Sequence, residues 1–352
     1  MKKRVSSLLA LLLIAALLAG CSSGGDTPAE STNPSAAGGE APLRVALLLT
    51  GTINDASYNQ QMYESGQQVV EEYGIELAYT ESIALADMQR VVQDYADKGY
   101  DLLIANGFDF NDAIMSVAEQ FPDTKFAILA GSETNGTNVA SYRHYTPHVG
   151  FLAGAISAMK SQTNVVSIVA GMSYPHVVDA VTAFEAGAKY ANPDCEVISG
   201  YIESWTDSAK AKEMTAAAIE QGADMIYCSA NAAALGAYEA IEEANDAGKE
   251  VYAIGATDDM YDTAPDIILV SVIQSQGELA LDVINDVMND SFTGSVKVVG
   301  IESHSIRLSD WHGHDSWMPE GSLEEIDTII AGLTDGSFVE QGICPKSVYD
   351  EE

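Results

Sequence analysis

From Leu43 onward the chain alternates two patterns: short apolar runs rich in β-branched residues, and longer stretches whose apolar positions recur at helical spacing. The runs predict strands at 44–50, 75–80, 100–105, 125–130, 138–142, 164–170, 195–201, 223–228, 250–255 and 266–272. Between them lie segments such as Met88, Val91, Val92, Tyr95 and Ala96, which fall on one face of a helix. Strand followed by helix at this interval is the pattern of a parallel sheet covered on both faces. The fold class that follows is α/β, doubly wound.

Two features divide the pattern in half. SETNGTNVASYRHYTPHVG (132–150) is the longest interruption marked by glycine and asparagine, and it precedes a new helix near Val149. A second strand-helix series then starts with NVVSIVAGMSYPHVVDAVTAFEAGA. The folded body, from about residue 42 on, holds about 310 residues, more than one compact core usually contains. Two lobes are therefore expected, dividing near residues 144 and 145, each a doubly wound parallel sheet, with a central cleft between them.

The residues before the body form a different kind of segment. Lys2, Lys3 and Arg4 precede an apolar stretch from Leu8 to Leu18 that is too short for a stable membrane-spanning helix. The sequence Leu18, Ala19, Gly20, Cys21 resembles the lipobox of bacterial lipoproteins. That resemblance implies a signal peptide over residues 1–21, lipidation at Cys21, and a mature chain held at the extracytoplasmic face of the cell membrane by lipid chains. An ordinary cleaved signal with an incidental cysteine is the plainer alternative. Residues 22–41 contain no large apolar side chain and are expected to form a disordered tether.

The formal charge of −36 argues against a nucleic-acid partner, because such a field repels a polyanion and no cluster of basic residues occurs in the body. Beyond Cys21 there are Cys195, Cys228 and Cys344, with no close pair, so neither a disulfide framework nor a zinc site is indicated.

In doubly wound sheets ligands bind outside the carboxyl ends of the strands, and here those ends carry the chemistry. After the first strand come Asn54, Asp55, Ser57, Tyr58, Asn59 and Gln60; after the third come Asn106, Gly107, Phe108, Asp109, Phe110 and Asn111. Later strands end in GMSYP (171–175), ESWTD (203–207), SANAAALG (229–236) and GATDD (255–259). Tyr58 and Trp205 are aromatics placed to come from opposite lobes. A planar ring held between them would gain roughly 1 to 3 kcal/mol of stacking per face. Asp55 and Asp207 each precede a helix, where capping is the routine use of an acid.

No catalytic signature accompanies this cleft. GxSxG, Walker A, GxGxxG after the first strand, HExxH and CxxC are all absent from the sequence. His312 and His314, in WHGHDSW, lack a third placed ligand for a metal, and His144, His148 and His176 stand isolated. The pattern reads as a binding protein that needs no cofactor and no metal, not as an enzyme.

The ordered set GTINDASYNQ with Gly66, GFDFNDAI with Pro122, VGFLAGAISAM, the spacing of Pro175, Phe184 and Gly187, SWTDSAKAKE, and GAD at 222–224 resembles the basic membrane protein family. The likeness runs from about residue 43 to 300. It implies the type I periplasmic-binding-protein fold, in which a segment at about 274–300 returns to the first lobe (42–144) while 145–273 and the C-terminal segment form the second. It also implies a substrate-binding lipoprotein of an ABC importer that takes purine nucleosides or free purine bases, works with permease subunits and is a monomer. By the same resemblance Tyr58 and Trp205 sandwich the purine and Asp55 and Asn59 assist. Together with the strand-end residues Ser57, Asn106, Phe108, Asp207 and Asn231 they make up the candidate ligand site. Two positions depart from the nucleoside-binding pattern: Thr257 stands where an acid holds ribose, with Asp258 next to it able to substitute after a small shift, and Gln274 stands where a lysine is common. Both fall at the sugar end of the site. A sugar or autoinducer receptor of the same fold, and a sensory lipoprotein that reports ligand state to a partner, are the rival readings.

Overall fold

The computed structural model describes residues 42–55 and 58–350. The signal-peptide and tether expectations, and Cys21 and Ser57 among the expected functional residues, lie outside the described residues.

Twelve strands form two six-stranded sheets. The first contains β1 (Arg44–Leu49), β2 (Glu76–Thr80), β3 (Leu102–Asn106), β4 (Lys125–Leu129), β5 (Val139–His144) and β11 (Val296–Val299), in the order β11-β5-β4-β3-β1-β2. All of its pairs are parallel. The second contains β6 (Val165–Ala170), β7 (Glu196–Tyr201), β8 (Met225–Ser229), β9 (Tyr252–Thr257), β10 (Ile268–Gln274) and β12 (Ile306–Leu308), in the order β12-β10-β9-β8-β6-β7. Only the β10–β12 pair there is antiparallel. Central strands such as RVALLL and LLIAN are buried almost throughout, as a sheet covered on both faces requires. This is the doubly wound α/β architecture. Strands β11 and β12, of four and three residues at the sheet edges, are too short to stand out as apolar runs and escape a periodicity reading.

The helices that cover the first sheet include α1 (Tyr58–Tyr73), α2 (Met88–Asp97) and α3 (Asn111–Ala118). On the second sheet lie α4 (Thr146–Lys160), α5 (Pro175–Ala191), α6 (Ser208–Glu220) and α7 (Ala234–Asp246). The helix expected near Val149 starts three residues earlier, with Pro147 in its first turn, where the missing N–H costs nothing. Helix α8 (Gln276–Met288) follows β10 but packs Leu279, Ala280, Val283 and Ile284 into the core of the first lobe. After β12 the chain runs through α9 (Ser322–Thr334) and α10 (Ser337–Glu340). The chain thus passes between the sheets three times, at His144–Thr146, Gln274–Gln276 and the β11–β12 connection.

Helices α4 and α5 touch backbone to backbone. A β-carbon at Gly150, Gly154 or Gly187 would stand 2.0 Å from the carbonyl oxygen of Ala180, Phe184 or Phe151 respectively. These glycines explain the spacing VGFLAGA against Phe184 and Gly187, and they fix where α5 begins. Its first residues stand at the mouth between the two sheets. Cys195, Cys228 and Cys344 are buried free thiols. No described helix is long and apolar enough to cross a membrane.

Candidate functional site

The carboxyl ends of the two sheets face a common cleft. The first lobe contributes Thr50 after β1, Tyr58 at the start of α1, Phe108 and Asp109 after β3, and Ala130 after β4. The second contributes Tyr174 and His176 at the start of α5, Trp205 after β7, Ser229 and Asn231 around the end of β8, and Thr257 at the end of β9. Thr146 and Gln274, both in crossing segments, line it as well.

Trp205 lies against the backbone of Gly171: a β-carbon there would come within 2.3 Å of the indole ring. A glycine after β6 is therefore what lets the indole lie close along that wall. Tyr174 stands between two neighbours, with ring centroids 5.0 Å from Phe108 and 6.3 Å from Trp205. His176 packs at 5.8 Å from Phe108. Tyr58 and Trp205 enter the cleft from opposite lobes, and the remaining wall is largely aromatic and aliphatic with a few polar groups, the usual make-up of a small-molecule site.

Asp109 is the one charged side chain among the described residues lining the cleft. Its carboxylate accepts a short hydrogen bond from the Tyr174 hydroxyl, across the gap between lobes. Burial first, and the nearby Asp109 carboxylate second, push the hydroxyls of Tyr58 and Tyr174 above the ordinary phenol range, so both stay protonated donors. Burial pulls the His176 imidazole down, with Arg143 adding to the shift, so it is neutral at pH 7.

Backbone strain gathers at the same place. Ala130, Asn231 and Thr257 line the cleft with φ of 58°, 48° and 73°. For β-branched Thr257 this is a costly conformation. Its carbonyl accepts from Gln61 Nε2 at 2.9 Å, while Gln61 Oε1 accepts the Gln276 N–H at 3.1 Å. One side chain of α1 thereby ties the end of β9 to the start of α8.

Of the residues singled out from sequence, Tyr58, Phe108, Trp205, Asn231, Thr257 and Gln274 come together in the cleft. Five others have different positions. Asp55 is spent on its own helix, accepting the N–H groups of Asn59 and Gln60 at 3.1 Å and the Asn59 amide at 2.8 Å. Asn59 is buried behind Tyr58, where its Oδ1 accepts from Asn106 Nδ2; the same Asn106 amide also donates to the Tyr58 carbonyl at 3.2 Å. Asn59 and Asn106 thus hold Tyr58 from behind and do not line the cleft. Asp207 caps α6 by accepting the Lys210 N–H at 3.1 Å. Asp258 turns into a separate polar groove with Gln61, Ser65 and Arg307.

Sequence reasoning passed over Asp109, Tyr174 and His176 as site residues. The rule that selected Trp205, an aromatic directly after a strand, applies equally to Tyr174 in GMSYP. His176 carried no comparable signal, because its position follows from the α4–α5 contact. His312 and His314 are occupied elsewhere, the first bonded to Asp259 at 2.8 Å and the second stacked on Trp317.

Comparison with known proteins agrees with this architecture. Residues 43–320 match the family described as ABC transporter substrate-binding protein, PnrA-like. Basic membrane protein A of Borreliella burgdorferi is 32% identical over 266 residues, covering 73% of this chain and 76% of that protein. A purine-binding protein of Brucella abortus is 30% identical over 250 residues, or 70% of this chain and 69% of its own length. A solved ABC transporter solute-binding protein from Aeropyrum pernix superimposes with a TM-score of 0.76 at 22% identity, covering 84% of this chain and 92% of that one.

Proposed function

We propose, for a chain that belongs to the PnrA-like family of ABC transporter substrate-binding proteins, that it captures a purine nucleoside or free purine base outside the cytoplasm and hands it to the permease of an importer. The observation that carries this reading is the pair Tyr58 and Trp205, one from each lobe, in a cleft whose one lining charge among the described residues is Asp109. A purine between the two rings would be stacked on both faces, and its edge would meet the Asp109 carboxylate, the Asn231 and Gln274 amides and the tyrosine hydroxyls. A ring with the wrong donor and acceptor pattern would leave some of these buried groups unpaired, which costs free energy and gives selectivity. Support from relatives is the purine-binding protein of Brucella abortus. Lobe closure by hinge rotation at the three crossings would sequester the ring, and Cys21 would anchor the protein by lipid at the membrane. Ligand capture of this kind needs no catalytic group.

The test is a thermal-shift screen of the purified protein against nucleosides, free bases, simple sugars and amino acids, with calorimetry on each hit. A ligand at about a hundredfold its Kd adds roughly 2.7 kcal/mol of stability, which such a screen resolves. Stabilisation by a purine supports the reading. A response to a sugar with silence for every purine overturns it in favour of a sugar receptor.

A further inference from the structure

The cleft does not stop at its polar rim. It extends into the second lobe as a recess walled by Val149 of α4, Ile168 of β6 and Val177, Ala180 and Val181 of α5. The first four of these are between 0% and 7% exposed, so little water reaches this wall. Helices α4 and α5 meet backbone to backbone at Gly150 and Ala180, so these two walls cannot draw closer together. An apolar recess of this kind stays dry and gains from an apolar occupant, whereas a hydroxyl placed in it loses its hydrogen bonds to water without replacement.

The polar groups of the cleft are few and partly spent. Asp109 already accepts from Tyr174. The Thr50 and Thr146 hydroxyls donate to the carbonyls of Asn106 and His176. Asp258, the acid nearest the sugar end, faces the groove behind and accepts the Asp259 N–H at 2.8 Å. Arg307 in that groove is paired with Glu278 at 3.1 Å. Among the described residues no carboxylate other than Asp109 lines the cleft to accept from a vicinal diol, and no cation lines it to hold a phosphate.

We infer that the cleft is shaped for a hydroxyl-poor purine carrying a compact alkyl group, with the alkyl group in the recess, and that it ranks such a ligand above the ribonucleoside. This rests on the purine reading and narrows it. The ligand class is neutral alkylated bases, and the residues that set the preference are those of the recess.

Calorimetry with adenine, N6-methyladenine, 9-methyladenine, 2′-deoxyadenosine and adenosine tests the order. One of the methylated bases is expected to bind about tenfold more tightly than adenine, the usual discrimination for one methyl group in an apolar pocket, and adenosine is expected to bind more weakly than adenine. The ratio of methylated to unmethylated affinity, measured on a single variant, does not depend on how much of that variant is folded. In Ala180→Val, which fills the recess, this ratio should collapse toward one. In Val177→Ala, which widens it, the preference should move from methyl to propyl. Adenosine binding as tightly as adenine, or a ratio unchanged in Ala180→Val, overturns the inference and leaves the purine reading standing. Silence for all five compounds and for the matching hypoxanthine series overturns the purine reading itself.

Discussion

Tyr174, at the start of α5 in the second lobe, donates its phenolic hydrogen bond to the Asp109 carboxylate that follows β3 in the first lobe. The bond joins the strand ends of two separate sheets, so it exists only while the lobes are together. It places a charge-assisted contact at the spot where closure and ligand capture coincide. Gln61, bonded to the Thr257 carbonyl on the far side of α1, makes a second such link.

Tyr174→Phe keeps the ring between Phe108 and Trp205 but removes the donor, and a hydrogen bond to a charged group contributes about 1.5 to 3 kcal/mol. Ligand affinity should fall by about tenfold, the lower end of that range. Small-angle scattering of the unliganded variant should show a larger radius than the parent. Equal affinity and equal radius would remove the bond from the closure mechanism.

Trp205→Ala should weaken purine binding by more than about tenfold, the stacking contribution of one face, with an unchanged circular dichroism spectrum. Gly171→Ala should act in the same direction by a different route, since its new methyl group would displace the indole. Calorimetry on both variants decides whether the position of the ring matters or only its presence.

The C-terminal residues clasp the lobes from behind the cleft. Ser347 Oγ donates to Asp179 on α5 at 2.5 Å and the Val348 N–H donates to the same carboxylate at 2.9 Å. On the first-lobe side, the Tyr145 hydroxyl donates to Asp350 at 2.8 Å and the Arg143 guanidinium lies 3.8 Å from the centre of the Tyr349 ring. Truncation after Pro345 should cost about 3 kcal/mol, about 1 for each of these three hydrogen bonds, or roughly 5 °C in melting midpoint. A midpoint that does not move would mean the tail only rests on the body.

Acid should loosen the crossings between the lobes. His144 and His148 are buried there, and burial pulls them from the ordinary 6.5 down to about 3 and about 4, against small opposing pulls from the Ser275 carbonyl and Glu302 respectively. Between about pH 6.5 and 4 the unfolded chain binds protons that the folded chain refuses, so their contribution is complete above 6.5 and is lost as the pH falls through that window. Asp179 has its pKa raised by burial and works in the opposite sense. The histidine part is therefore read as a difference: thermal melts of parent and His144→Asn from pH 7 to 4 should give a shallower decline for the variant. Parallel curves would count against it.

Cys21→Ala should move the protein from the membrane fraction to the soluble fraction, as judged by fractionation and detergent partition. Retention in the membrane would mean that another anchor holds it.

Periodicity alone was enough for the α/β class and for ten strands, because a run buried on both faces needs a continuous apolar sequence whatever surrounds it. The same local logic placed Tyr58, Phe108, Trp205, Asn231 and Thr257 at strand ends, the family resemblance added Gln274, and all six meet in one cleft. What a residue does once it is there is set by partners distant in the chain. Asp55 and Asp207, which the sequence leaves between ligand and cap, both accept N–H groups of the helices they precede. Asp258 and Thr257 are adjacent, yet the turn after β9 sends one into the groove and leaves the other in the cleft. Tyr174 acquires its role from Asp109, 65 positions away, and the aliphatic recess exists because glycines of α4 admit the backbone of α5. Sequence specifies the periodic burial of each element. Only the packing of one element on another decides which polar group is satisfied within the protein and which is left for a ligand.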